Sequence, residues 1–271
     1  MPQDPSKVYI NNQSESVLRT YRWRTAENSA AYLLPYIQPH MHILDVGCGP
    51  GTISTDLATR VPQGRVTGVE YTPEPLDKAR AFAAERGVTN IEFKVDNVLA
   101  LDFPDNTFDV VHAHQVLQHT GDPVQALREM RRVTKPGGIV AARDGDMHGM
   151  AWYPEIEGLE GWRKLTTKVA RARGGEPDGG RRLLSWALQA GLTRESITCS
   201  ASTWCYSTPE EREYWGGTMA DRMLGSFKHT AVPGGFATED ELKAIADGWR
   251  EWITKEDGWF AVLHGEIVCR V

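Results

Sequence analysis

No run of about eighteen apolar residues occurs in this chain, and its opening residues do not couple a charged stretch to an apolar one. Neither a membrane-spanning helix nor a secretory leader is expected, and the reading is a cytoplasmic protein with no membrane partner. A basic surplus is missing too. Against 36 Asp and Glu stand 30 Lys and Arg, a net charge of −6 that gives no positive field for a nucleic-acid partner. Cysteines are few: Cys48, Cys199, Cys205 and Cys269 fall in no C-x-x-C or zinc spacing, so they read as reduced thiols and no metal site is expected. Repeats and low-complexity tracts are absent. What is left, 271 residues with 41% hydrophobic and 24% charged content, suits one large domain, or one domain carrying a cap.

The most organised stretch is ILDVGCGPG, from Ile43 to Gly51. An apolar run that breaks into alternating glycines and resumes as TISTDLATRV reads as strand, tight turn and helix. Glycine permits positive φ and lets a ligand approach the main chain, while the free N–H groups opening the helix hold something negative or hydrogen-bond accepting. No Lys or Arg lies between Ile43 and Thr59, so a triphosphate has no counter-charge. A dinucleotide loop places its third glycine at position 52, which is Thr52. Asp45, expected to point into the loop mouth, repels a pyrophosphate and suits a ligand with an ammonium or sulfonium charge.

Alternating strand and helix patterns follow. RVTGVE ends in Glu70, nineteen residues past Gly51, where a carboxylate accepts the two hydroxyls of a ribose, with Tyr71 beside it. Thr72-Pro73 opens a helix lined by Leu76, Ala79 and Ala83. NIEFKVD then delivers Asp96 and Asn97 to the same edge, and FDVVHAH sends His114 and Gln115 out of a fourth strand. Asp122-Pro123 caps another helix, and the Lys135–Gly138 turn leads into a fifth strand. Repeated β-α units with right-handed crossovers make a parallel sheet whose ligands sit beyond the strand carboxyl ends. Asp45, Glu70, Asp96, His114 and Asp144 all fall there.

DVGCGPG resembles motif I of the class I S-adenosylmethionine-dependent methyltransferases. The N-terminal helical pattern and the VTKPGG turn resemble the UbiE-like and type 11 small-molecule members. The resemblance implies an α/β fold: a Rossmann-like, doubly wound, seven-stranded sheet, mostly parallel, its last strand antiparallel at the edge. N-terminal helices and an inserted helical cap complete it. Residues 1–39 are then a helical lid, drawn from helical spacing over Ser14–Ile37, and 40–271 the methyltransferase domain, with substrate caps around 147–180 and 208–255. The cofactor implied is S-adenosyl-L-methionine. Gly47, Cys48, Gly49 and Gly51 cradle it with Asp45, Glu70 and Tyr71. Asp96 meets the adenine amino group with Asn97 and Val98 closing over the ring, and His114 and Gln115 touch the methionine end. Tyr21, Trp23 and Arg24 form a lid with Arg24 on the methionine carboxylate, or else the rings are core and Arg24 is solvated.

Methyl transfer from a sulfonium needs alignment above all, and a base only where the acceptor is protonated. The catalytic candidates are His119, Asp144 and His148. His119 reads equally as a structural hydrogen-bonding residue. Asp146 shares a face with Asp144, which falls short of a metal site. The text HAHQVL after strand four lacks the N/D/S-P-P-aromatic pattern of base-modifying enzymes. Rings and methionines at 150–162 and 204–227 line a pocket for a small apolar or aromatic acceptor, or else pack the cap. The basic run Arg163, Lys164, Lys168, Arg171 and Arg173 is a solvated helix face or a lure for an acidic substrate. A methyltransferase fold with non-methylating chemistry, such as a cyclase, or with only a binding role is the alternative.

Overall fold

Short apolar runs alternate with amphipathic helices, and the sheet follows from that alternation. The computed structural model describes residues 23–271. Five strands run parallel: β1 (His42–Val46), β2 (Arg65–Glu70), β3 (Ile91–Val95), β4 (Phe108–His114) and β5 (Thr134–Gly145). Residues ahead of β1 include the four-residue helix α1 (Ala26–Ser29). Helices α2 (Thr52–Arg60), α3 (Glu74–Glu85) and α4 (Pro123–Val133) make crossovers. Pro123 stands in the first turn of α4 and the Asp122 carboxylate accepts the Gln125 N–H at 2.9 Å, as the sequence predicts.

Past β5 come β6 (Ala151–Tyr153), α5 (Glu157–Ala172), α6 (Gly179–Gln189) and β7 (Ile197–Tyr206). The helices α7 (Pro209–Leu224), α8 (Lys228–Ala231) and α9 (Glu239–Ile253) precede β8 (Trp259–Arg270). Reciprocal capping boxes, Thr208 with Glu211 and Thr238 with Glu241, start α7 and α9.

Among the described residues the sheet has eight strands, in the order β3-β2-β1-β4-β5-β8-β6 with β7 on the far side of β8. Two expectations change. The antiparallel last strand is not at the edge: β8 pairs with β5 on one side and with β7 on the other. Its run is buried nearly throughout, as a strand covered on both faces must be, whereas β7 exposes Thr198, Cys199, Ser200 and Ala201 as an edge does. The eighth strand, β6, is only three residues long and extends the line of β5 along β8.

The continuous helix over Ser14–Ile37 is a third correction, within the described residues. Thr25 and Asn28 form a reciprocal cap that begins α1 at Ala26, and Pro35, without an N–H, sits in a short 3-10 turn at Leu34–Tyr36. Ala26, Ala30 and Leu33 pack on Ile43, Leu57, Val110 and Ala141, covering one face of the sheet. On the opposite face Leu44, Val111 and Val140 pack against α4 and α6 through Leu127, Met130 and Leu183.

A third core lies over the carboxyl rim. α5, α7 and α9 enclose Trp162, Trp215, Trp249 and Trp252 against Phe260, with the Trp162 and Trp249 rings edge-on at 5.2 Å. α5 and α9 meet at two glycines, since a Cβ on Gly158 would stand 2.7 Å from the Gly248 Cα. The basic run turns outward. Arg163 and Lys164 pair with Glu160, Arg171 pairs with Glu176 and Asp178, and Lys168 lies over the Phe236 ring. No helix among the described residues is long and apolar enough to cross a membrane.

α6 reaches the sheet at one point of backbone contact, where a Cβ on Gly265 would fall 2.1 Å from the Gly180 carbonyl oxygen. Backbone cannot yield as a side chain tip does. Gly265→Ala is expected to cost about 2–3 kcal/mol of stability, read as a lower denaturant midpoint at unchanged slope.

Candidate functional site

Gly47, Gly49 and Gly51 have φ of +65°, +53° and +75°, which carries the chain from β1 into α2 by a path other residues resist. They differ in purpose. A Cβ on Gly47 would lie 2.4 Å from Val116 Cγ2, and one on Gly51 2.8 Å from the Ala79 Cβ, so both admit close packing. A Cβ on Gly49 meets nothing within 4 Å: this residue turns an open face outward. Its N–H donates to Glu70 Oε2 at 3.0 Å, and the Tyr71 N–H donates to Oε1 at 3.0 Å. Burial raises the Glu70 carboxyl above its ordinary range, and the two N–H groups oppose that. Glu70 thus stands at the loop with Tyr71 exposed beside it.

Asp45 does not point into the mouth. It is 2% exposed and turned inward, paired with His112 Nδ1 at 2.8 Å and accepting the Ser54 hydroxyl. The physical reason is register: Asp45 and His112 are neighbours across β1 and β4, and Ser54 lies in the first turns of α2 above them. Asp45 therefore locks strand, loop and helix together. Nothing in the sequence pairs Asp45 with His112 or Ser54; His112 lies inside β4, two residues before His114, and does not leave the sheet. Cys48 supplies its main chain, donating to the Val69 carbonyl at 3.0 Å, while its buried thiol is held well above its ordinary pKa by desolvation.

At the end of β3 the Asp96 carboxylate accepts the N–H groups of Asn97 at 2.7 Å and Asp102 at 3.2 Å, closing a turn. Asn97 accepts the Leu99 N–H at 3.0 Å, and Val98 packs beside the core. These residues hold the rim beside the glycine loop.

The exit of β4 is unusual. Gln115 has φ +54° without being glycine, a conformation that persists only where its surroundings hold it. Its N–H donates to the Arg143 carbonyl at 2.7 Å, its Oε1 accepts from Arg24 Nη2 at 2.7 Å, and its Nε2 meets His264 Nε2 at 2.8 Å. Val116 next to it seats against Gly47, and Gln118 accepts the Gly145 N–H at 2.9 Å. His114 does not reach the rim: it is buried beside the Trp204 and His264 rings, neither nitrogen bonded, and held neutral by desolvation and by Arg24 and Arg143. Tyr21 lies outside the described residues.

A cavity of about 160 Å³ opens on the other side of this turn. Met150, Trp162, Trp215, Met219, Met223 and Phe227 wall it, which brings together the two ring- and methionine-rich windows of the sequence. Arg24, Gln115, Gln118, His119, Thr166 and Arg222 supply its polar lining. The turn 115–119 is thus a shared wall, with the glycine loop on one side and the cavity on the other.

The three catalytic candidates separate. His119 lines the cavity, its Nε2 3.0 Å from Gln118 Nε2, with a pKa lowered to about 4 by desolvation and then by Arg24. Asp144 is buried behind the turn and outside the cavity lining, because β5 aims it at the backbone of 116–118. His148 is half exposed and held by Asp178 at 2.8 Å, also outside the lining. Asp146, which shares neither role, binds Arg181 and the Gly149 N–H. No cluster of three or more metal-ligating side chains occurs among the described residues.

Burial pushes the Asp144 carboxyl up to about 7, against N–H groups of Gln118, Val116 and Leu117 that lower it less. The folded state therefore keeps a proton that the unfolded chain releases near pH 4, and stability falls as pH rises from about 4 to about 7. Asp144→Asn is expected to remove that slope, matching the parent near pH 4 and exceeding it above pH 7 by up to about 4 kcal/mol in denaturant titrations.

A family model described as "Methyltransferase domain" matches residues 37–177. The chain is 38% identical over 267 residues to an uncharacterized methyltransferase of Schizosaccharomyces pombe, covering 96% of this chain and 95% of that one. It is 32% identical over 292 residues to the "Probable methyltransferase ltbC" of Aspergillus luteorubrus, covering 96% of each. Among solved structures it resembles the [4+2]-cyclase SpnF with a TM-score of 0.53 at 21% identity, over 93% of this chain and 81% of that one. That last likeness is one of fold.

Proposed function

The chain belongs to the class I S-adenosylmethionine-dependent methyltransferases, and from that premise we propose that it methylates a small, apolar or aromatic molecule held in the cavity under α5 and α7. The observation that carries the proposal is the shared wall: one turn separates an open-faced glycine loop from a chamber walled by methionine and tryptophan.

The loop fits the cofactor. Gly49 leaves room where a side chain would stand, Glu70 offers carboxylate oxygens to a ribose diol, and the lack of Lys or Arg from Ile43 to Thr59 disfavours a pyrophosphate. In our reading Gly47–Gly51, Glu70 and Tyr71 hold the sugar end, Asp96, Asn97 and Val98 the adenine, and Arg24 with Gln115 the amino-acid end. Asp45 acts through the loop it locks. When bound, S-adenosylmethionine supplies a methyl group already activated on a sulfonium. The residues then need to orient the acceptor and exclude water, and positioning of that kind lowers a barrier by several kcal/mol. His119 is neutral because desolvation and Arg24 hold its proton off, and its Nε2 accepts from the Gln118 amide, so it takes a proton from an acceptor hydroxyl by exchanging that bond for one to the acceptor. In this role it predicts turnover that stays flat from pH 8 down to about 5 and falls below that as the imidazole protonates, measured as kcat/KM against pH.

Gly49→Arg tests the cofactor half. Its Cβ meets nothing, and the φ of +53° costs an arginine about 1 kcal/mol, so the variant is expected to fold with slightly lower stability and to lose at least about a hundredfold in S-adenosylhomocysteine affinity by calorimetry. Methyl-labelled S-adenosylmethionine offered with a metabolite panel tests the transfer. Label moving to an acceptor supports the reading. Tight cofactor binding with no label transferred favours the non-methylating alternative, and absent binding sinks both.

A further inference from the structure

The two contacts of the Gln115 side chain fix which way its amide points. Its Oε1 lies 2.7 Å from Arg24 Nη2, and a guanidinium carries donors and no acceptor. The amide oxygen therefore faces Arg24, which turns the amide NH2 toward His264 Nε2, 2.8 Å away. Since the amide donates there, Nε2 accepts, and the proton of the neutral ring stands on Nδ1. Burial first, then the charges of Arg143 and Arg24, hold this imidazole neutral. Nδ1 makes no hydrogen bond of good geometry, although the Val262 carbonyl of the same strand is near enough to favour a proton there.

His264 does not line the cavity, so its reach to the site runs through Gln115. The imidazole itself is well held. His264 is fully buried on β8, opposite Gly145 of β5 and Ser202 of β7, with the Trp204 ring edge-on at 4.4 Å. Gln115 is half-buried and left-handed, a conformation that needs bracing from outside. An apolar ring at 264 would leave its amide without a good arrangement. Kept as it is, the NH2 loses its partner. Flipped, the NH2 meets the Arg24 guanidinium, donor against donor. Only an acceptor at 264 satisfies both ends. Gln118 repeats the device within the same turn, its oxygen on the Gly145 N–H and its amide nitrogen on His119 Nε2.

We infer that His264 is a positioning residue for cofactor binding: as the Nδ1–H tautomer it accepts from Gln115, keeps that amide oxygen on Arg24, and so aims Arg24 at the cofactor's carboxylate. This rests on the proposed placing of the amino-acid end at Arg24 and Gln115. The role moves no proton. A ring of similar size without an acceptor cannot fill it, whereas an amide that presents an oxygen can.

Calorimetry of the whole chain with S-adenosylhomocysteine reads the role. His264→Phe keeps a ring in the packed space and removes the acceptor; it is expected to weaken binding about five- to tenfold. His264→Gln offers an oxygen near the former Nε2 and is expected to bind within about twofold of the parent. A residue that only filled space would give the reverse order, because Phe conserves the packing better than Gln. Gln115→Met removes the amide, and in that background His264→Phe should cost no further affinity, as a coupled pair requires. Nitrogen NMR of the histidine-labelled parent stands apart from the folding of any variant. Near neutral pH the His264 ring, assigned through its backbone, is expected to be neutral with its proton on Nδ1. The inference is overturned by an Nε2–H ring or an imidazolium, by parent-like binding in a folded His264→Phe, or by a folded His264→Gln that binds no better than the Phe variant. In each of those cases S-adenosylhomocysteine bound by the parent leaves the cofactor reading standing, whereas no binding by the parent removes that reading as well.

Discussion

One close approach governs the layout of the site: Val116 lies so near the Gly47 backbone that no side chain fits between them. That contact clamps the turn after β4 to the loop after β1. Everything polar in the turn is then aimed the other way. Gln115 reaches Arg24 and His264, Gln118 reaches the Gly145 N–H, and His119 reaches the cavity. The left-handed Gln115 is the cost of reversing direction so sharply, held in place by bonds to residues 24, 143 and 264.

Beneath this turn the sheet changes character along its strands. Ile43, Val110, Ile139 and Val268 form an apolar floor at one end. Toward the carboxyl ends the same face carries His112, His114, Arg143, His264 and Glu266, all buried. Arg143 pairs with Glu266, which also accepts the hydroxyls of Ser200 and Ser202, and desolvation lowers Arg143 to about 10 despite its partner. A buried pair of this kind is poor evidence for stability, because removing both charges from water consumes much of their attraction. Its value lies in orientation. Trp204 lies within 4.8 Å of the Arg143 guanidinium and donates its N–H to the Asn28 carbonyl, so the polar belt fixes where residues 23–33 rest.

The elements with a strong local signal are legible in the sequence: the glycine loop, the capped helix at Asp122, and the strand ends that carry Glu70 and Asp96. So are the two windows that wall the cavity. What escaped depended on contacts between distant parts of the chain. Asp45 reads from sequence as a charge for the ligand because nothing nearby in the chain announces His112 as its partner. His114 and Gln115, adjacent in the chain, part company because strand alternation buries one and a left-handed turn lifts the other out. The last strand in sequence is not the last in the sheet, because β8 is covered on both faces and takes β5 and β7 as neighbours.

That interior position has a bearing on biogenesis. β8 is translated after both β5 and β7, the strands that it must separate. Until it emerges from the ribosome, those two strands lack the neighbour they share, the Arg143 side chain has no Glu266, and Gln115 has no His264 to hold its amide. The chamber also lacks Val262. The pairing of β8 therefore closes the sheet and the cavity wall with the stretch of chain made after the glycine loop and its neighbouring strands.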